Sequence, residues 1–241
     1  MMLDEIKENN ILFLDIETVP EYPVFEEMPE NLKDLWIKKT KYFRDENTPE
    51  TENFYERAGI FAEFGKIICI SVGFISNSKQ KRKLRIKSFY SDNETELLSA
   101  FIKLLNSSFY DKDHYLCAHN GKEFDFPYIA RRILINNLKL PKLLNIAGKK
   151  PWEIKHLDTL ELWKFGDYKH YTSLNLLTAI FNIPSPKDDI NGSDVAKVYW
   201  EEKNLDRIVT YCEKDVVAIV QLYLKYRGQD LIFNENIESV K

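Results

Sequence analysis

Hydrophobic positions along this chain fall into short saturated runs and longer helical stripes, and their order narrows the fold. Ile11–Ile16 is apolar at Ile11, Leu12, Phe13, Leu14 and Ile16, as expected of a strand covered on both faces, and Thr18-Val19-Pro20 ends it. A second apolar run spans Gly65–Ile75 through Ile67, Ile68, Ile70, Val72 and Phe74. The turn-like Ser76-Asn77-Ser78 and the basic stretch Lys79–Arg85 lead into a third strand, Leu84–Tyr90, so that the two runs predict a hairpin. Asn93 is placed to cap a helix, with Glu96 as its capping-box partner and Leu97, Leu98, Phe101, Leu104 and Leu105 on one stripe. Tyr115–Ala118 reads as a short fourth strand, Phe126–Asn137 as a helix with Pro127 in its first turn, and Ile154–Leu157 as a fifth strand. Ser173–Phe181 and Ser193–Trp200 predict helices. Asn204–Tyr226 predicts a long last one, with Leu205, Ile208, Cys212, Val216, Ile219 and Tyr223 in helical period.

A meander of three strands followed by strand–helix units builds an α/β domain, a mixed sheet with helices on its faces. Such a sheet leaves Ile11–Ile16 on a central strand. A single domain over residues 1–241 is expected, with a helical insertion at about 21–64, where Leu32, Leu35, Trp36 and Tyr42-Phe43 keep helical spacing and residues 45–52 read as a mobile tract.

Composition adds limits. The chain has 241 residues, 44% hydrophobic and 13% aromatic, which suits a folded protein with a sizeable core. A net charge of −4 removes global basicity as a reason to bind nucleic acid, so any such binding must come from local patches and bound cations. Residues 1–10 carry Asp4, Glu5 and Glu8 without an apolar core, and no apolar run approaches the ~20 residues that span a bilayer; a cytoplasmic protein with no membrane partner is expected. Cys69, Cys117 and Cys212 lie in apolar patterns and read as buried, reduced thiols. Trp36, Trp152, Trp163 and Trp200 read as packing residues.

The polar exceptions to the pattern carry the chemistry. Asp15 and Glu17 are two apart on the first strand and share a face. A solvated edge strand would explain them, but their neighbours are apolar on both faces, and buried unpartnered carboxylates are costly. A hard divalent cation, Mg²⁺ or Mn²⁺, resolves that cost, with phosphate supplying further ligands. Asp125 precedes Phe126-Pro127 and has a helix cap as its bland alternative; Asn120 and Gly121 have turn formation as theirs. All three follow a strand, at the end of a sheet where ligands bind. Tyr211 and Asp215 share a face of the last helix at the border of its apolar stripe, while Glu213 and Lys214 read as surface residues.

The segments Asp15-Ile16-Glu17, Asn120 through Phe124-Asp125, and Tyr211 with Asp215 resemble, in order and spacing, the three motifs of the DEDD superfamily of 3′–5′ exonucleases, in its tyrosine-marked subgroup. No histidine stands four residues before Asp215, where the histidine-marked relatives carry their base. The sequence is similar to stand-alone bacterial proteins related to the proofreading domain of family B DNA polymerases. The resemblance implies a ribonuclease H-like fold and two-metal hydrolysis of single-stranded ends to nucleoside monophosphates. It implies that Asp15 bridges both ions, Glu17 and Asp215 hold the ion nearer the attacking water, Asp125 serves the other, and Tyr211 orients the water. Asn120, with the backbone after Asp15 at Ile16 and Thr18, would position the 3′ nucleotide, and Phe124 would stack or wedge against a base. Lys187 could meet a phosphate or be a solvated loop lysine. The implied partner is a single-stranded 3′ end, DNA ahead of RNA, with a polymerase or repair protein as a further possible partner. An exoribonuclease, or a non-catalytic nucleic-acid-binding module on the same fold, are the alternatives.

Overall fold

The computed structural model describes residues 3–41, 55–78, 81–167, 171–184 and 190–240. Six strands, β1 (Ile11–Pro20), β2 (Gly65–Ser78), β3 (Lys81–Tyr90), β4 (Tyr115–Ala118), β5 (Leu157–Asp158) and β6 (Ile237–Ser239), form one sheet in the order β5-β4-β1-β2-β3-β6. β1 runs antiparallel to β2 and parallel to β4. Among the described residues there are seven α-helices: α1 (Glu30–Thr40), α2 (Glu94–Ser108), α3 (Asp125–Ile135), α4 (Thr159–Lys164), α5 (Leu174–Ile180), α6 (Val195–Trp200) and α7 (Leu205–Tyr226).

Strand alternation decides what each face of β1 meets. Leu12, Leu14 and Ile16 pack with Leu97, Leu98 and Phe101 of α2 and with Phe126 and Ile129 of α3. Ile11 and Phe13 point the other way, onto Val216, Ile219, Val220 and Tyr223 of α7. Gly73 lets that helix lie close to the sheet, since a Cβ there would stand 2.7 Å from Val216 Cγ1. Asn93 and Asn204 cap α2 and α7 through side-chain oxygens that accept N–H groups of the first turn.

Several boundaries differ from the sequence expectation. β1 does not stop at Thr18 but pairs with β2 as far as Pro20, with a register shift between Glu17 and Thr18. Ser76-Asn77-Ser78 is strand rather than turn, paired with Lys83, Arg82 and Lys81. The fifth strand is Leu157–Asp158, displaced from Ile154–Leu157 because Asp158 ends it by capping α4. Helix α3 begins at Asp125 and ends at Ile135.

The segment at 21–64 carries α1 and a small core of its own, Met28, Trp36, Tyr55, Ala58 and Phe64. Arg132 of α3 ties it down, donating to Ala62 O and Glu21 Oε2 at 2.9 Å each. The tract expected at 45–52 lies outside the described residues. Trp152 is 77% exposed, with the Lys150 ammonium over its ring.

Candidate active site

Because β1 alternates, Asp15 and Glu17 follow Ile11 and Phe13 onto the α7 side, opposite Ser71 and Cys69 of β2. Helix α7 crosses above them. Cys212 donates its thiol to the Asp15 carbonyl and to Asp15 Oδ2, both at 3.4 Å. Oxygens of Asp15 and Glu17 and the Cys212 sulfur lie within 4.8 Å of one another. Asp125, the first residue of α3, reaches the same place, its carboxylate accepting its own N–H and that of Ile16.

Electrostatics confirm the convergence. Burial pushes Asp15 well above the ordinary carboxylate range, and the negative charges of Asp215, Glu17 and Asp125 push it further. Glu17 is raised by burial, then by Asp215. Asp125 is raised to about 8, chiefly by burial, against the lowering effect of its N–H partners. The Tyr211 hydroxyl bonds the Asp215 carboxylate; burial and then the surrounding acids hold its pKa far above that of a free phenol. Acids from β1, α3 and α7 therefore share one locus, Glu17 and Asp125 buried and Asp15 and Asp215 half-buried, and the charges acting on Asp15 and Glu17 are negative. Hard oxygen donors under mutual repulsion suit a divalent cation.

The remaining expected residues divide. Asn120 sits at φ 61° at the end of β4, with its N–H and that of Lys122 accepted by Asp158 at 2.9 and 3.0 Å. Gly121 permits this turn, because a Cβ there would meet Ala118 and stand 2.9 Å from the Phe126 ring. Phe124 is partly buried against Tyr128, with ring centroids 5.3 Å apart. The Ile16 side chain lies in the core on the other face of the sheet, and its N–H is accepted by Asp125. The Thr18 side chain bonds the Tyr128 hydroxyl. Lys187 lies outside the described residues.

Sequence reasoning missed Asp158, only 2% exposed, which also accepts Leu160 N at 2.9 Å. The Asp158-Thr159-Leu160-Glu161 capping pattern was the available signal. Tyr171 was missed too. It is 66% exposed, its ring 6.3 Å from that of His119, and burial of its hydroxyl with the charges of Asp125 and Asp158 raises its pKa. His119 is structural, bridging Thr159 Oγ1 at 2.9 Å and Thr172 O at 3.0 Å.

The family described as "Predicted 3'-5' exonuclease related to the exonuclease domain of PolB" matches residues 60–238. A DNA polymerase of Pyrococcus glycovorans is 23% identical over 189 residues, which make up 72% of this chain and 24% of that protein. One from Pyrococcus horikoshii is 26% identical over 177 residues, 66% of this chain and 14% of the polymerase. The family B DNA polymerase from the hyperthermophilic archaeon Pyrobaculum calidifontis superposes with a TM-score of 0.51 at 13% identity, over 89% of this chain and 24% of that one. The chain thus spans a quarter or less of these proteins. Its mixed sheet with flanking helices is the ribonuclease H-like α/β fold of the family B exonuclease domain.

Proposed function

Because the chain belongs to the family of predicted 3′–5′ exonucleases related to the exonuclease domain of PolB, we propose that it hydrolyses single-stranded 3′ ends to nucleoside monophosphates, using two divalent cations, Mg²⁺ or Mn²⁺. The observation that carries this reading is the meeting of Asp15, Glu17, Asp125 and Asp215 at one locus under mutual repulsion. DNA is placed ahead of RNA as substrate because the matched relatives are named DNA polymerases.

Asp15 and Glu17 on β1, Asp125 on α3 and Asp215 on α7 would hold the ions, Asp15 being the acid that all the others act on. Bound ions would acidify water and stabilise charge on the leaving 3′ oxygen. Burial and the neighbouring acids raise the Tyr211 pKa, which disfavours a general-base role. Its hydroxyl, anchored on Asp215, instead orients the attacking water through a lone pair. The Asn120 turn, held by Asp158, offers a preset polar edge to the terminal nucleotide.

The test uses 5′-labelled single-stranded DNA and RNA with Mg²⁺ or Mn²⁺. A ladder shortening from the 3′ end is expected, stopped by EDTA and by a bulky 3′ block. Equal sensitivity to a 5′ block, or hydrolysis that survives chelation, would refute the proposal.

A further inference from the structure

A second polar locus lies on the same face of the sheet, two residues beyond Glu17. Val19 of β1 pairs with Lys66 of β2, and two residues of strand rise separate it from Glu17 by about 7 Å. The Lys66 side chain enters a pocket of about 370 Å³ formed with Asp92, Tyr199, Trp200, Lys203 and Leu205. Lys66 Nζ stands 4.8 Å from the Trp200 ring centroid and 5.0 Å from that of Tyr199. Lys203 Nζ stands 5.0 Å from the Trp200 ring. Two ammonium groups thus converge on one indole.

The pocket is held in shape. Trp200 Nε1 donates to Pro20 O at 3.1 Å, which fixes the ring to the end of β1. The Tyr199 hydroxyl donates to Asp92 Oδ1 at 2.8 Å, which ties that ring to a carboxylate lining the pocket. Lys203 sits at φ 52°, the left-handed region that a side chain disfavours, and this conformation accompanies its place over the ring. Burial lowers the Lys66 pKa, against the raising effect of the Glu21, Asp92 and Glu94 carboxylates, the sign of a cation stripped of part of its water. Such a cation gains most from an anionic partner. In a chain of net charge −4, two cations brought together on aromatic walls make a local exception that general charge does not explain.

We propose that the Lys66–Trp200–Lys203 pocket is a second nucleic-acid contact, which grips a backbone phosphate on the 5′ side of the scissile bond. The inference rests on the exonuclease reading, since only a strand whose 3′ end occupies the acid cluster must continue over the neighbouring surface. The rings serve to position the ammonium groups; phosphate is the ligand they hold.

The test compares the wild type with a Lys66→Gln, Lys203→Gln double variant on two substrates with Mn²⁺. The p-nitrophenyl ester of thymidine 5′-monophosphate carries one phosphodiester and needs only the acid cluster. A single-stranded DNA 12-mer reaches the pocket as well. The variant should hydrolyse the ester at the wild-type rate, while KM for the 12-mer rises about tenfold at low salt with kcat unchanged. Affinity for the 12-mer measured in EDTA, where nothing is cleaved, should lose about 0.7 from its log–log salt slope for each phosphate contact removed. Equal loss on both substrates, or an unchanged 12-mer affinity and slope, would overturn the proposal. A wild type that cleaves neither substrate would refute the exonuclease reading, and the binding arm would still decide whether the pocket grips a strand. Lys203→Gln alone, at an exposed position, should show a smaller shift of the same sign should the double variant fold poorly.

Discussion

Buried charge sits on both sides of the sheet, and the two groups follow opposite rules. On the α2–α3 side, Glu94 and Arg132 are only 7% and 5% exposed, and nearly every donor and acceptor is used. The Glu94 carboxylate takes Ile67 N at 2.7 Å, Asn136 Nδ2 at 2.8 Å and the Arg132 guanidinium; Arg132 also reaches Ala62 O and Glu21. This knot joins β2, α2, α3 and the 21–64 segment, and pairs opposite charges. On the α7 side, Asp15, Glu17, Asp125 and Asp215 approach one another with like charge, and burial raises the pKa of the first three. One group is complete within the chain. The other reads as half of a site, stable once a cation is added.

The largest effects should separate these two groups by kind. Asp15→Asn should reduce Mn²⁺-dependent hydrolysis to the limit of detection while leaving the metal-free protein folded, because it removes repulsion and keeps an oxygen to accept the Cys212 thiol. A metal-free melting temperature well below wild type would assign Asp15 to the fold instead. Arg132→Met should do the reverse: lose about 3–5 kcal/mol of stability by stranding Glu94 without its counter-charge, as denaturant unfolding would show. A stability loss under ~1 kcal/mol would mean the knot is solvated in solution.

Tyr211→Phe keeps the ring and removes only the hydroxyl on Asp215. Single-turnover hydrolysis should fall by roughly 10²-fold, the lower end expected of a positioned group beside activating cations, with substrate affinity little changed. A wild-type rate across pH 6–9 would make the tyrosine structural.

A pH dependence sharpens the comparison further. Asp125 holds its proton up to about pH 8 in the folded chain, whereas an unfolded Asp loses it near pH ~4. Between those values the folded state binds more protons, so metal-free stability should fall as pH rises from about 4 to about 8. Saturating Mn²⁺ should flatten or reverse that slope, because it favours the ionised native site. Melting curves from pH 5 to 8 check the sign; a metal-free protein that gains stability across that range contradicts it.

What the sequence made plain was local and periodic. The acid pair inside an apolar run and the 22-residue stripe of α7 each announce their face within a few residues, and both stand where alternation and helical period place them. Elements too short to show a period were misplaced or missed: β5 with two residues, β6 with three and α4 with six. Long-range partners were out of reach for a different reason. Asp158 acts on Asn120 from 38 residues away, and nothing near Lys66 announces Trp200.

Calorimetric titration of the metal-free protein with Mn²⁺, beside the Asp15→Asn variant, tests the incomplete half of this comparison most directly. The account predicts saturable binding to the wild type, with protons released as the raised carboxylates ionise, and loss of that binding in the variant. Absence of binding to the wild type, or identical titrations of the two proteins, would contradict it.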